Sequence, residues 1–212
     1  MATTTPNYGW TVPTSTDLVK DGATAIETLG DAIDASMNTA LGTKKAGMVL
    51  LNTTSFSGVS SQSINDVFST TYNNYRIQVN ITSNTTGDAD LLLRMRVSGA
   101  DNSTSGNYRY SGLYVGSNAT TVVGSNSGAS ATSFIVGSVA TPGYTTIDLY
   151  NPFESVKTGY NALANYIDTT PISYTFFRGG ALTVTTSYTG FTLIPGGAGN
   201  ITGSVSVFGV NK

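Results

Sequence analysis

The stretch STDLVKDGATAIETLGDAIDASMNTALG, residues 15–42, carries a seven-residue repeat of apolar and small side chains. Such side chains at positions a and d of a heptad make helices wind around each other. The spacing therefore predicts a helix that packs against copies of itself. The residues predicted at this interface, spaced three and four apart, are Val19, Gly22, Ile26, Leu29, Ile33, Ser36 and Ala40.

This helix is too weak to stand alone. Gly22 and Gly30 each destabilise a helix by roughly 1 kcal/mol relative to Ala, and an isolated helix of this length is marginal in water. We therefore expect residues 15–45 to form an oligomerisation stalk, with Ser15 or Thr16 as the N-cap. The small residues in the repeat leave the number of associating chains open.

Residues 1–14 precede the helix and are predicted to be an extended arm, because Pro6 and Pro13 disfavour helix locally. The arm holds Tyr8 and Trp10, the latter being the only tryptophan of the chain. A segment this polar cannot bury two rings against itself. Two interpretations are open: the rings pack on the chain's own helix, or they dock into a neighbouring protein and anchor the arm there.

From residue 46 onward the apolar period changes from seven to two, which is typical of half-buried strands. Turn-forming segments rich in Gly, Ser, Asn and Pro separate about ten short strands, and among these turns we count RGG at 178–180. The segment 153–167 is either an irregular helical turn or a long loop. Residues 46–212 are thus predicted to form an antiparallel β-sandwich head resembling a jelly roll, and the whole chain is mainly β. The strand candidates are 47–51, 75–81, 91–97, 107–115, 133–139, 144–150, 172–178, 181–187, 190–194 and 205–207.

Composition limits the chemistry. The chain of 212 residues has no cysteine and no histidine, so thiolate nucleophiles, imidazole bases and disulfides are excluded. Charged residues make up 10%, and the profile rich in Gly, Ser, Thr and Asn is typical of extracellular or virion β proteins. The net charge is −2, without the basic stripe that nucleic-acid binding requires. No apolar run approaches the ~20 residues of a membrane span.

Among the polar groups of the head, we find no pattern that predicts catalysis. Asp88, Asp90 and Asp101 lie in predicted turns, match no complete calcium loop, and are expected to shape those turns. We predict no catalytic residue, no metal site and no cofactor, and therefore no enzyme. Tyrosines close to Asn, Asp and Arg suit contact with sugars or a subunit interface equally well. The candidates for glycan contact are Tyr108, Tyr110 and Tyr114, which share one face of a predicted strand.

The segment PNYGWTVPTSTDLVKDGATAIETLGDAID (6–34) resembles the N-terminal stretch of tailed-bacteriophage virion proteins. The head resembles, more loosely, a C-terminal domain of phage tail proteins. The segments that carry this second likeness are FSTTYNNYRIQVNI (68–81), LLRMRVSGAD (92–101), NPFE (151–154) and GFTLIPGGAGNITGSVSVFGV (190–210).

The resemblance implies a homotrimeric tail fibre or tail-tip protein located in the virion. Residues 1–14 would then contact other virion proteins, and the head would contact the host surface, where a glycan is the candidate partner. The alternative is a capsid decoration or connector protein that recognises no host. Neither interpretation involves nucleic acid or insertion into a membrane.

Overall fold

A computed structural model describes residues 3–14, 16, 18–42 and 47–210. The chain divides into two compact units, Met1–Gly47 and Met48–Lys212.

The first unit combines a small hairpin with a helix. Strands β1 (Thr3–Thr4) and β2 (Thr11–Val12) pair antiparallel, with Thr3 opposite Val12. A 3₁₀ turn at Val19–Asp21 leads into helix α1 (Gly22–Met37), which ends in a π turn at Asn38–Gly42. The indole N–H of Trp10 donates to Ser36 Oγ at 2.9 Å, and this bond holds the hairpin against α1.

The long heptad helix predicted over 15–42 is not seen, because the regular α-helix has 16 residues. Thr16 lies in a turn, so it is not the N-cap, while Ser15 and residues 43–45 fall outside the described residues. The actual N-cap of α1, Asp21, makes no side-chain capping hydrogen bond. At the other end Thr39 Oγ1 donates to the carbonyl of Ala35, a local bond that competes with regular helical pairing.

The second unit consists of strands and connecting loops in its described residues. Its strands are β3 (Met48–Val59), β4 (Gln62–Ile64), β5 (Asn74–Asn84), β6 (Asp90–Val97), β7 (Ala100–Asp101), β8 (Tyr108–Gly116), β9 (Val123–Asn126), β10 (Phe134–Ser138), β11 (Gly143–Tyr150), β12 (Gly159–Ile167), β13 (Ser173–Leu182), β14 (Gly190–Pro195) and β15 (Ile201–Val210).

These strands form two antiparallel sheets. The larger sheet has the order β3-β15-β5-β11-β12-β13-β8-β9, and the smaller has the order β10-β6-β14-β4 with β7 added beside β6. The alternation seen in the sequence sets the inner faces, as in β5, where Tyr75, Ile77, Val79 and Ile81 are all buried.

Both sheets contribute to one hydrophobic core, which makes the second unit a two-layer β structure. Ile77 and Ile147 come from the larger sheet, and Leu93 and Phe191 from the smaller, each with zero exposure. The chain is therefore mainly β, as predicted. The larger sheet alone has the eight strands of a whole jelly roll, and the predicted jelly-roll topology is not confirmed.

Two local predictions are wrong. Residues 178–180 are not a turn but part of β13, which joins the two strands expected at 172–178 and 181–187. Position 180 requires a residue without a side chain, because a Cβ there would lie only 2.7 Å from the Cα of Tyr110 on the adjacent strand. Glycine at this position is therefore compatible with a strand. Likewise, the segment 153–167 contains strand β12, whose buried Tyr160, Ala162 and Ala164 alternate with exposed residues.

Candidate functional site

One corner of the larger sheet's inner face is only partly buried. The edge strand of the smaller sheet, β10, packs over β12 through Phe134, whose ring lies 4.1 Å from that of Tyr160. Toward the other end of β12 and its neighbours, Tyr114, Tyr166 and Tyr174 point to the same inner side but stay half-buried. The residues there line a groove of about 390 Å³.

This feature is called the Arg178 groove below. Its lining combines aromatic faces, carboxylates and one guanidinium. The lining residues are Asp88, Asp90, Tyr114, Ser125, Tyr166, Asp168, Tyr174, Phe176 and Arg178.

Three tyrosines form an aromatic wall across three adjacent strands. Tyr166 on β12 lies directly opposite Tyr174 on β13, and their rings stack with centroids 5.2 Å apart and planes 16° apart. The ring of Tyr114 on β8 is tilted against that of Tyr174 at 6.4 Å. Burial raises the pKa of Tyr166 to about 12, with the charge of the neighbouring Tyr174 as the next cause. Tyr166 is therefore neutral at ordinary pH.

Arg178 is the most unusual side chain of the groove. It is only 5% exposed, and its Nε and Nη1 atoms have no hydrogen-bond partner among the described residues. Its guanidinium lies over the ring of Phe176 at 4.3 Å and near that of Tyr110 at 5.4 Å. These rings hold the cation in place, yet leaving buried donors unpaired is costly. Arg178 is thus positioned and short of acceptors.

Two of the groove's three carboxylates are fixed by hydrogen bonds to one turn. Asp168 Oδ1 accepts from the backbone N–H groups of Thr170 and Ile172, at 2.9 and 3.0 Å. The bond from Ile172 is the main cause that lowers the pKa of Asp168. Asp88 Oδ2 accepts from the hydroxyl of Thr169 at 2.7 Å. Both groups are therefore ordered acceptors at the rim.

The third carboxylate, Asp90, begins strand β6. Loss of hydration raises its pKa, and the positive charge of Arg178 partly opposes that effect. Asp90 also lines a neighbouring pocket of about 400 Å³, together with Ala89, Ser138 and Gly196. Asp88, Asp90 and Tyr166 line both cavities, so the groove and the pocket adjoin each other.

The three tyrosines predicted to contact a glycan have different positions. Tyr108 has zero exposure, and its hydroxyl accepts from the N–H of Met95 and donates to the carbonyl of Asn102. It is a core residue, so its prediction as a glycan contact is wrong. Tyr110 is half-buried beside Arg178. Tyr114 alone lines the groove.

The arm residues predicted to anchor the chain lie in the first unit. Their rings stack, with centroids 5.1 Å apart. Trp10 is bonded to Ser36 on the chain's own helix, whereas Tyr8 remains 73% exposed. The hydrogen bond of Trp10 agrees with the interpretation in which the arm packs on its own helix. Docking of the two rings into a neighbouring protein stays a prediction.

The predicted helix interface is divided between covered and uncovered positions. The four half-buried residues are Gly22, Leu29, Ile33 and Ser36. Val19 is 97% exposed and Ile26 65% exposed, and Ala40 is also exposed. Apolar side chains of this segment, those of Val19 and Ile26 above all, are therefore left uncovered.

Sequence reasoning missed most of the groove. The two glycines that follow Arg178 predict a turn there, and no strand is predicted in the segment that holds Tyr166. One available signal was the alternation of Tyr160, Ala162, Ala164 and Tyr166, which marks an inner face. No sequence signal shows that the smaller sheet leaves this corner uncovered.

Within the described ranges, no group of His, Cys, Asp or Glu residues could hold a metal ion. None of the helices there is both long and apolar enough to cross a bilayer. No family model, no curated protein and no solved structure matches this chain.

Proposed function

We propose that this chain is a virion structural protein, a homotrimeric tail fibre or tail-tip protein whose β unit contacts a host surface through the Arg178 groove. The observation that carries the contact role is the uncovered groove itself, with a preordered guanidinium, fixed carboxylates and an aromatic wall. Binding sites in proteins typically combine apolar walls with a few ordered polar groups in this way. The virion assignment rests on the resemblance of residues 6–34 and of the β unit to phage tail proteins.

The trimeric stalk is supported by apolar side chains that are exposed on α1 and on the turn before it. Leu18, Val19, Ile26 and Met37 are each more than half exposed. A short helix with an internal glycine, Gly30, gains stability by burying such side chains against other copies. The proposal includes a jelly-roll-like topology for the head, which is the domain that the stalk would carry.

Adsorption of phage to host cells tests the contact role. Cells are incubated with purified full chain before phage is added, and free phage is counted. We expect the free chain to reduce adsorption by occupying the receptor. Adsorption that stays unchanged at saturating free chain contradicts the contact role and favours the capsid decoration alternative.

Sedimentation equilibrium tests the stalk. We expect a trimer for the wild-type chain and a monomer for the double variant Val19→Glu, Ile26→Glu, because charges buried in a helical seam are strongly disfavoured. The matched control is Thr24→Glu, Thr28→Glu, which adds the same charges at exposed positions of the same helix. A monomeric wild-type chain at micromolar concentration contradicts the trimer.

A further inference from the structure

The Arg178 groove carries information about the chemical class of its ligand. Arg178 is 95% buried, lies on two aromatic rings, and makes no ion pair within the described part of the chain. Its Nε and Nη1 atoms lack acceptors. A buried guanidinium in this condition calls for ligand oxygen atoms, or bridging water, to complete its hydrogen bonds.

A fully anionic ligand is disfavoured by the rest of the lining. Three carboxylates, those of Asp88, Asp90 and Asp168, line the same groove as the single guanidinium. Asp168 has a lowered pKa and so stays ionised at neutral pH. A ligand carboxylate or phosphate would meet this negative rim before it reached Arg178, and like charges at short range repel.

A neutral polyhydroxyl ligand can form a favourable contact with each kind of group in the lining. Its hydroxyl groups donate to the carboxylates, and its oxygen atoms accept from Arg178. Its C–H faces pack against the wall formed by Tyr114, Tyr166 and Tyr174, which combine apolar rings with polar tips. Sugars are the common biological molecules that combine these three features.

The two adjoining cavities also indicate a minimum size for the ligand. The groove of about 390 Å³ and the adjoining pocket of about 400 Å³ share Asp88, Asp90 and Tyr166. A ligand lying across those three residues occupies both cavities at once. The ring of one sugar would then lie on the tyrosine wall and the next would extend past Ser138.

We infer that the Arg178 groove binds a neutral oligosaccharide of at least two sugar units, with Arg178 donating to its oxygen atoms. The inference deepens the proposed function, on which it rests, by naming the ligand class of the contact surface. It also distinguishes Arg178 from Arg76 on the opposite face of the sheet, whose Nε and Nη2 donate to Asp148 in an ion pair.

The test is a printed array in which neutral di- and trisaccharides are matched by their monosaccharides and by uronic-acid analogues. The full chain is applied as wild type, Arg178→Met and Tyr114→Ala. The matched controls, from the opposite face of the sheet, are Arg76→Met and the exposed Tyr144→Ala. Thermal melting verifies that each variant is folded.

We expect binding to one or more neutral oligosaccharides that falls at least tenfold in both groove variants and stays within twofold of wild type in both controls. The matched monosaccharides should bind at least tenfold more weakly than the oligosaccharides. Binding restricted to uronic-acid analogues, binding that Arg178→Met leaves unchanged, or no binding to any neutral oligosaccharide overturns the inference. If the free Arg178→Met chain reduces phage adsorption as strongly as the free wild-type chain, the proposed host contact holds but the Arg178 groove is not its site.

Discussion

Two regions of one sheet face differ in what covers them. On β5 and β11, inward residues such as Ile77, Val79 and Ile147 are buried under the smaller sheet. At the corner formed by β8, β12 and β13, the inward residues Tyr114 and Tyr174 follow the same alternation but remain half-buried. Alternation along a strand decides which face a side chain occupies. How far the opposing sheet extends over that face decides whether its side chains lie in the core or line an open groove.

Two arginines on opposite faces of the larger sheet differ in how their donors are paired. Arg76, on the outer face, donates from Nε and Nη2 to both carboxylate oxygens of Asp148, at 2.7 and 2.9 Å. Arg178, on the inner face, is buried and has unpaired donors. A paired, half-exposed arginine is satisfied by its own protein. The buried one keeps two unpaired donors, and this difference supports the proposed binding site at the corner.

The largest expected effect contrasts a covered aromatic residue with an uncovered one. Phe134→Ala removes a ring with zero exposure and should lower the free energy of unfolding by about 4 kcal/mol, through lost burial and a cavity. Phe177→Ala, on the outer face with 54% exposure, should lower it by less than about 1 kcal/mol. Denaturation in urea measures both variants. Equal losses would mean that cover by an opposing sheet does not distinguish Phe134 from Phe177.

The next effect concerns the space behind Arg178. Gly112 lies opposite Arg178 on β8, and a Cβ there would overlap the Phe177 carbonyl oxygen and lie 2.9 Å from the Cα of Arg178. Gly112→Ala should therefore lower the free energy of unfolding by about 1–3 kcal/mol. Gly124→Ala, on the adjacent strand β9 with nothing within 4 Å, is the control and should be nearly neutral. A harmless Gly112→Ala would contradict the close packing that positions Arg178.

A smaller effect compares the two arginines directly. Arg178→Met replaces a buried cation, whose Nε and Nη1 lack acceptors, with an apolar chain, so the free energy of unfolding should stay the same or rise by about 1 kcal/mol. Arg76→Met breaks a partly exposed ion pair and should lower it by less than about 1 kcal/mol. Urea denaturation at low and high salt gives both values. A strong loss of stability in Arg178→Met would show that the guanidinium stabilises the fold more than its unpaired donors cost.

The sequence predicted much of the fold and little of the site, for identifiable reasons. Strong alternation in 75–81 and 91–97 marked β5 and β6, because buried and exposed residues there differ sharply in polarity. Alternation was weaker around Ala162 and Ala164, and Gly179 and Gly180 resembled a turn. Tyr114 was named as a contact together with Tyr108, since both share one strand face. Only the edge of the smaller sheet separates their roles, and that edge is set by tertiary packing.

The smallest effect is the alkaline titration of the aromatic wall. Burial raises the pKa of Tyr166 from the usual 10.0 to about 12, so the folded state disfavours its ionised form. Its contribution to stability is complete below pH 10 and is lost as the pH rises toward 12. Absorbance titration of wild type minus Tyr166→Phe should show this tyrosine ionising late. Ionisation at pH 10 would mean that the ring is more solvated than the wall requires.

The most direct test of the central claim, that the uncovered corner binds sugar through Arg178, is the ¹H–¹⁵N Nε resonance of that arginine. The resonance is assigned by its absence in Arg178→Met and followed while a neutral oligosaccharide selected on the array is added. The account predicts that the Arg178 resonance shifts in a saturable way while the Arg76 resonance stays in place. A shift of Arg76 with Arg178 unchanged would contradict it.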